Sequence, residues 1–154
     1  MTKFNRKELI IIGGGLAGSE AAWQAAQRGI QVKLYEMRPQ METGAHISSN
    51  LAELVCSNSL GSNLPDRASG VLKTELRQMQ SLLLEVAEQT ALPAGAALAV
   101  DRQAFAQTVT ARLSAHPNIE ILRTEATEIP FHPVIVASGP LTSPRLSQAI
   151  ARFS

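Results

Sequence analysis

Three spaced glycines near the beginning of the chain constrain its fold more than any other feature. Gly13, Gly15 and Gly18 form the pattern Gly-x-Gly-x-x-Gly, directly after the apolar run ELIII at 8–12 and directly before an alanine- and glutamine-rich stretch at 16–28. Glycines at this spacing permit a tight turn between a strand and a helix and let the helix pack closely on the strand. The sequence therefore predicts a buried strand, a tight turn and a helix in that order.

A second apolar run completes a βαβ unit. Gly29 stands where the C-terminal cap of the helix belongs, and residues 32–35 form a short strand that ends at Glu36. Glu36 follows Gly18 at close to the roughly 20-residue spacing of the acidic residue that binds a ribose in dinucleotide-binding units. These features predict an α/β, Rossmann-type domain with a doubly wound, mostly parallel sheet.

The same residues predict how a dinucleotide would bind. Gly15 would let the backbone approach a pyrophosphate, and the helix N-terminus would offer free N–H groups and a positive dipole end to the phosphates. Glu36 can accept both hydroxyls of an adenosine ribose and would repel a 2′-phosphate, which favours FAD or NAD over NADP; the nearby Arg38 weakens that preference slightly. The candidate cofactor-binding residues are Gly13, Gly14, Gly15, Leu16, Ala17, Gly18 and Glu36.

The composition changes after the second strand. Residues 37–65 are dense in proline, glycine, serine and asparagine, and we expect a long loop with one short helical turn around 51–55. Apolar residues at helical spacing then predict one helix over 72–89, followed by a small apolar segment at 91–99. We interpret residues 38–98 as an insertion that follows the second strand.

The last third of the chain returns to the α/β pattern. Asp101 is a good N-cap for a helix over 102–115, and residues 119–122 predict a third strand. The run at 133–139 ends in glycine and predicts a fourth, buried strand. A last helix is predicted to open with proline at 144 and to continue to the end of the chain without a cap, so we expect a truncated fragment.

Composition and charge exclude several classes of protein. Lysine plus arginine number 14 and aspartate plus glutamate 13, a balance that does not favour a general polyanion binder. The longest apolar run near the N-terminus is too short to span a bilayer, so we expect a cytoplasmic protein without a membrane partner. Basic side chains on the predicted helices, Lys73 among them, are expected on solvated faces.

One cysteine and three histidines limit the possible metal chemistry. A single Cys56 rules out an intramolecular disulfide and a multi-cysteine zinc site. His46, His116 and His132 are scattered, and we predict no metal site. Cys56 lies in the polar segment ELVCSNS, where two interpretations stay open: a lone cysteine is commonly a buried small hydrophobe, or it is a catalytic group beside a cofactor.

Several longer segments carry a family resemblance. The chain contains GGGLAGSEAAWQAAQRGIQVKLYEMRP, ELVCSNSLGSN, LKTELR, PAGAALAVDRQAF and VIVASGPLTS. Together they resemble the N-terminal part of the folate- and FAD-dependent tRNA uracil-5-methyltransferases (TrmFO, formerly Gid). The glycine pattern is shared by many flavoproteins, whereas EMRP, ELVCSNS and ALAVDR are much more specific. The resemblance covers essentially the whole chain.

The resemblance implies a bacterial flavoprotein that makes 5-methyluridine in the T-loop of tRNA. Its one-carbon unit would come from methylenetetrahydrofolate, with reduced FAD as cofactor and NAD(P)H as electron source. It implies that Gly13 to Gly18 contact the FAD phosphates, that Glu36 binds the ribose and that Cys56 is catalytic near the flavin. Family members are several times longer, so residues 1–154 are expected to be an FAD-binding fragment that largely lacks the tRNA-binding region.

Two alternatives remain at this point. The first is a flavin- or NAD-dependent oxidoreductase without a nucleic-acid role, which the glycine pattern would equally suit. The second is a non-catalytic dinucleotide-binding remnant. The segments ELVCSNS and EMRP favour the methyltransferase over both.

Overall fold

The computed structural model describes residues 8–153, so the outermost residues of the predicted 1–154 domain, and the last residue of the predicted final helix, lie outside the described part. A four-stranded parallel sheet and a smaller antiparallel sheet organise the chain. The elements, in chain order, are β1 (Glu8–Ile12), α1 (Leu16–Gln27), β2 (Gln31–Tyr35), β3 (Ser59–Ser62), α2 (Ala68–Gln78), α3 (Leu82–Gln89), β4 (Ala91–Leu92), β5 (Ala97–Val100), α4 (Arg102–Ser114), β6 (Ile119–Leu122), β7 (Val134–Val136), a 3₁₀ helix (Gly139–Leu141) and α5 (Pro144–Phe153).

The parallel sheet has helices on both faces, as a strand with a continuous apolar sequence requires. Its strand order is β6-β2-β1-β7, and every pairing is parallel. On one face, Ile11 packs with residues of α1, α3 and α4. On the other face, Ile10 and Ile12 pack with Leu146 of α5. The prediction of a Rossmann-type, doubly wound α/β fold is confirmed.

The local signals at the helix ends also hold. Gly29 has φ +77°, in the left-handed region, immediately after the C-cap of α1. The Asp101 carboxylate caps α4 by accepting hydrogen bonds from the backbone N–H groups of Gln103 and Ala104, both at 3.0 Å. Helix α5 begins at Pro144 as predicted. Capping chemistry is local, which is why the sequence alone reveals it.

The segment between β2 and α4 differs from the prediction. The expected long loop contains β3, and the expected irregular segment contains β4 and β5; these strands form an antiparallel sheet in the order β3-β5-β4. The predicted helical turn around 51–55 is wrong, because Ala52 has φ +52° and lies in a turn. The sheet extends to Val100, and the boundaries 38–98 of the insertion stay a prediction.

The single helix predicted over 72–89 is also wrong, because it is two helices. Helix α2 ends at Gln78, and Gln80 has φ +55°, which interrupts the helical backbone. The hydroxyl of Ser81 then caps α3 by accepting from the N–H of Leu84 at 3.2 Å. Apolar spacing continues through the junction, so periodicity alone does not reveal the break.

Two further predictions, which concern how exposed side chains are to solvent, are wrong. The apolar run of β7 was predicted to be buried, yet Ile135 and Val136 are each 40% exposed, because among the strands of residues 8–153 β7 lies at the edge of the sheet and pairs with β1 alone. Lys73 was expected on a solvated face but is 5% exposed, and its ammonium donates to the carbonyl oxygen of Ser62 at 2.9 Å. Burial, followed by the charge of Arg77, lowers the pKa of Lys73. Lys73 therefore ties α2 to β3.

Candidate nucleotide-binding site

The glycine loop, residues 13–18, connects the carboxyl end of β1 to α1. Gly13 has φ +108°, and a Cβ there would lie 2.6 Å from the carbonyl oxygen of Ala137. A Cβ on Gly18 would collide with the carbonyl oxygen of Gly13. Both positions need glycine for the loop to fold, because a side chain would overlap backbone atoms that cannot move aside.

Gly15 is different from its neighbours. Its φ is −71°, which any residue adopts, and a Cβ built there meets no heavy atom of the described residues within 4 Å. Folding therefore does not explain glycine at this position. The open space beside Gly15 is what a group approaching the N-terminus of α1 would occupy.

A cleft of about 250 Å³ lies at the carboxyl ends of the parallel strands. Ligands of open α/β sheets bind at this edge, and the volume is near the lower end for small-molecule sites. Six of the seven predicted cofactor residues line the cleft; the seventh, Gly18, packs behind the loop against Gly13. The cleft is lined by Gly13, Gly14, Gly15, Leu16, Ala17 and Glu36, by Val55, and by residues of the segment from Ala137 to Leu146.

Glu36 is buried at the base of the cleft with its carboxylate held in place. One oxygen, Oε2, accepts from the N–H of Gly14 at 3.1 Å. The other, Oε1, accepts from the backbone N–H of Arg38 at 2.9 Å and from its Nε at 3.0 Å. Burial raises the pKa of Glu36, but the hydrogen bonds and charge of Arg38 and the bond from Gly14 together outweigh it and lower the pKa. Glu36 is thus a fixed carboxylate at neutral pH.

Arg38 is only 4% exposed and belongs to the same cluster. Its Nη1 donates to the carbonyl oxygen of Ser48 at 2.9 Å and to Oε2 of Glu53 at 3.1 Å. With two carboxylates and a carbonyl as partners, the guanidinium is already engaged. Arg38 is therefore not available to bind a 2′-phosphate. The sequence analysis expected Arg38 to weaken the preference for FAD or NAD over NADP slightly, and these contacts remove the reason for that expectation.

Two residues of the cleft wall were not predicted from sequence. His46 and Thr43 line the cleft, and the hydroxyl of Thr43 lies 2.6 Å from Nδ1 of His46. Burial, followed by the charge of Arg38, lowers the pKa of His46, so its ring is neutral near pH 7. Histidine spacing in the sequence does not reveal this contact, because the partner of His46 is a threonine.

Cys56 lies at the end of a segment that is attached to the glycine loop. The N–H of Ala52 donates to the carbonyl oxygen of Gly14 at 2.8 Å, and the side chain of Leu51 packs where a Cβ on Gly14 would project. Cys56 is exposed, so its interpretation as a buried small hydrophobe is wrong. Val55 is among the described residues that line the cleft, whereas Cys56 is not. The catalytic role of Cys56 stays a prediction.

The sequence of the chain matches a known protein family. A sequence model of the family described as glucose inhibited division protein A matches residues 8–146. The chain belongs to this family. The match includes the glycine loop, the Glu36 cluster and all seven described strands.

Three curated relatives of this member of the glucose inhibited division protein A family are named methylenetetrahydrofolate–tRNA-(uracil-5-)-methyltransferase TrmFO. The protein from Bacillus velezensis is 56% identical over 150 residues, covering 97% of this chain and 34% of its own length. The Bacillus subtilis protein is 57% identical over 150 residues with the same coverage, and that from Moorella thermoacetica is 57% identical over 148 residues. The chain spans about a third of the length of these relatives. The family resemblance seen in the sequence is confirmed.

Solved structures agree on the fold. The chain superposes on Aquifex aeolicus GidA with a TM-score of 0.73 at 16% identity, covering 96% of this chain and 30% of that one. The GidA-related protein from Thermus thermophilus gives a TM-score of 0.53 at 15% identity, covering 95% and 68%. At these identities the likeness concerns the fold alone.

Residues 8–153 contain neither a candidate membrane span nor a candidate metal cluster. Within that range, none of the helices combines the length and the apolar character needed to cross a bilayer. The same residues contain no group of three or more histidine, cysteine, aspartate or glutamate side chains arranged to hold a metal ion.

The buried cluster yields a prediction about stability. We expect Arg38→Met to lower the free energy of unfolding at pH 7 by about 3–5 kcal/mol, because it leaves the carboxylates of Glu36 and Glu53 buried without their cation. Urea denaturation followed by circular dichroism measures the change. The control is Arg67→Met, whose side chain is 66% exposed, and it should have little effect.

Arg38→Met should also change how the contribution of Glu36 to the free energy of unfolding depends on pH. In the unmodified protein the pKa of Glu36 is below its ordinary value of 4.5, so this group stabilises the fold above that pH and loses the contribution as pH falls through the folded pKa. Arg38→Met removes the side-chain hydrogen bond and the charge that lower this pKa but leaves the burial that raises it, so the pKa of Glu36 should rise and the deficit of the Arg38→Met protein should shrink between pH 7 and pH 5. A deficit that stayed constant over this range would contradict the assignment.

Proposed function

We propose that the chain is the FAD-binding portion of a methylenetetrahydrofolate–tRNA-(uracil-5-)-methyltransferase, which acts in the cytoplasm to form 5-methyluridine in tRNA. The observation that carries the proposal is the identity of 54–57% to proteins of that name over at least 93% of the chain. The segments EMRP and ELVCSNS, which resemble that family much more specifically than the glycine pattern does, support the same assignment.

The residues present fit an adenine dinucleotide such as FAD. The unfilled space at Gly15 suits a pyrophosphate, and the N-terminus of α1 offers N–H groups to it. Glu36, anchored by Arg38 and Gly14, would accept the ribose hydroxyls. When bound and reduced by NAD(P)H, FAD would supply the two electrons that convert the one-carbon unit of methylenetetrahydrofolate to a methyl group.

Cys56 is the proposed catalytic residue of the segment ELVCSNS. Its thiol is exposed, and the adjacent residue Val55 lines the cleft. An exposed thiol at the margin of a cofactor cleft is accessible to a second substrate, as a nucleophile must be. This placement supports the role that the family resemblance implies.

A chimeric enzyme tests the proposal. Residues 8–146 of this chain would replace the matching part of the Bacillus subtilis relative, to which the chain is 57% identical. The chimera would be expressed in a strain that lacks the relative, and 5-methyluridine in tRNA would be measured by mass spectrometry. Restored 5-methyluridine is the expected result. A folded, FAD-containing chimera that oxidises NAD(P)H without modifying tRNA would favour the oxidoreductase, and one without any turnover the non-catalytic remnant.

Nucleotide selectivity provides a further prediction. We expect the chain to bind AMP at least about tenfold more tightly than adenosine 2′,5′-bisphosphate, which differs from AMP only by the 2′-phosphate, because the anionic Glu36 would repel that phosphate and Arg38 is engaged by carboxylates. Isothermal titration calorimetry of both nucleotides measures the ratio. Equal affinities would mean that Glu36 does not contact the ribose.

A further inference from the structure

A chain of buried charges joins the ribose carboxylate to the segment that carries Cys56. Nε of Arg38 lies 3.0 Å from Oε1 of Glu36, and Nη1 of Arg38 lies 3.1 Å from Oε2 of Glu53. The three side chains are between 5% and 9% exposed. Ion pairs this buried are only weakly screened by solvent, so a change at one end is felt at the other.

Glu53 organises the loop on its own side of this chain of charges. Its Oε1 accepts from the N–H of Ile47 at 2.8 Å, and its Oε2 accepts from the N–H of Ser48 at 3.1 Å and from the hydroxyl of Ser48 at 2.7 Å. Burial raises the pKa of Glu53, but these hydrogen bonds and the charge of Arg38 together lower it. A carboxylate with this many donors fixes the backbone around it.

A second connection closes the arrangement into a ring. The N–H of Gly14 donates to Oε2 of Glu36 at 3.1 Å, and the carbonyl oxygen of Gly14 accepts from the N–H of Ala52 at 2.8 Å. Ala52 directly precedes Glu53. The ring therefore runs through Glu36, Arg38, Glu53, Ala52 and Gly14 and returns to Glu36. Two of its members, Gly14 and Glu36, line the proposed nucleotide site.

We propose that Arg38 and Glu53 are positioning residues that couple occupancy of the nucleotide site to the conformation of residues 51–56. The inference rests on the proposed nucleotide site. Ribose hydroxyls that donate to Glu36 hold its carboxylate, and through Arg38 and Glu53 they hold the backbone that leads to Cys56. By linkage, opening of residues 51–56 weakens nucleotide binding by the same factor. Binding of the cofactor thus sets the position of the proposed catalytic thiol.

Hydrogen exchange of the full 154-residue chain, with and without ADP, tests the coupling. In the unmodified protein we expect ADP to slow amide exchange at least about fivefold both in residues 13–18 and in residues 51–56, the lower end of typical coupling. In Glu53→Gln, which keeps the shape of the side chain and removes its charge, ADP should slow exchange in residues 13–18 alone. Glu42→Gln, an exposed glutamate of the same loop, is the matched control and should behave like the unmodified protein.

A second variant keeps the test decisive if Glu53→Gln does not fold. Ser48→Ala removes the 2.7 Å hydrogen bond to Glu53 without removing a charge, and it should reduce the protection of residues 51–56 by ADP. Protection of residues 51–56 that persists in both variants would overturn the coupling, as would ADP binding that never protects that segment. Failure of ADP to bind the unmodified chain, measured by calorimetry, would overturn the nucleotide site itself and the coupling with it.

Discussion

Replacing Gly15 with valine is expected to weaken FAD binding by about a hundredfold or more, ~2.7 kcal/mol, while the chain still folds. No heavy atom of the described residues lies within 4 Å of the position of the new Cβ, and φ at −71° accommodates valine. The side chain would instead fill the space proposed for the pyrophosphate. Fluorescence titration with FAD measures affinity, and thermal unfolding by circular dichroism measures the fold.

Two further variants separate a blocked site from a damaged fold. Ala94→Val adds apolar bulk at an exposed position between β4 and β5 that is not among the described residues lining the cleft, and it should leave FAD affinity unchanged. Gly18→Ala should instead destabilise the fold, because its Cβ collides with the carbonyl oxygen of Gly13. Normal FAD binding by Gly15→Val would show that the glycine loop does not hold the pyrophosphate.

Cys56→Ala is expected to reduce methyl transfer by about a hundredfold or more in the chimeric enzyme, the scale at which positioned side-chain groups contribute to catalysis. FAD content should stay near that of the parent chimera, because Cys56 is exposed and is not among the described residues lining the cleft. The quantity to measure is 5-methyluridine formed per bound flavin.

The neighbouring serine provides the control for this substitution. Ser57 is also exposed, and its hydroxyl accepts a hydrogen bond from the N–H of Ser59 at 3.0 Å, so Ser57→Ala perturbs the same loop without removing a thiol. Its turnover should stay within a few-fold of the parent. Full turnover per flavin in Cys56→Ala would exclude Cys56 from catalysis.

The parts of the fold that the sequence revealed are those whose signals are local. Glycine spacing, apolar runs and the N-cap at Asp101 identified β1, α1, β2 and α4, because each signal acts within a few residues of its position. The antiparallel sheet of β3, β4 and β5 was not predicted because its strands are short, and because the pairing of β3 with β5 joins residues far apart in the chain. No alternation of apolar and polar residues marks a strand such as SLGS.

In the candidate site, too, local sequence signals were recognised and contacts between distant residues were not. Spacing from the glycines identified Glu36, whereas Arg38 and Glu53 were not recognised as a buried pair. Their contact depends on how the intervening loop folds back, and charged residues in a polar loop are ordinarily expected in solvent. The burial of Lys73 was not predicted for a related reason. Its ammonium donates to backbone carbonyl oxygens, and no sequence pattern indicates that contact. Ala52 is a non-glycine residue at positive φ, which composition cannot anticipate.

The position of Gly13 against the end of β7 bears on when the site forms during synthesis. The N–H of Ala137 donates to the carbonyl oxygen of Ile12 at 2.8 Å, and Ala137 and Ser138 form the surface that Gly13 faces. A nascent chain that has emerged only as far as β2 carries the complete glycine pattern but lacks this wall of the cleft. The ribosome must release the chain well past β7 before the wall can be built. Nucleotide binding at the proposed site would therefore follow the pairing of β7 with β1.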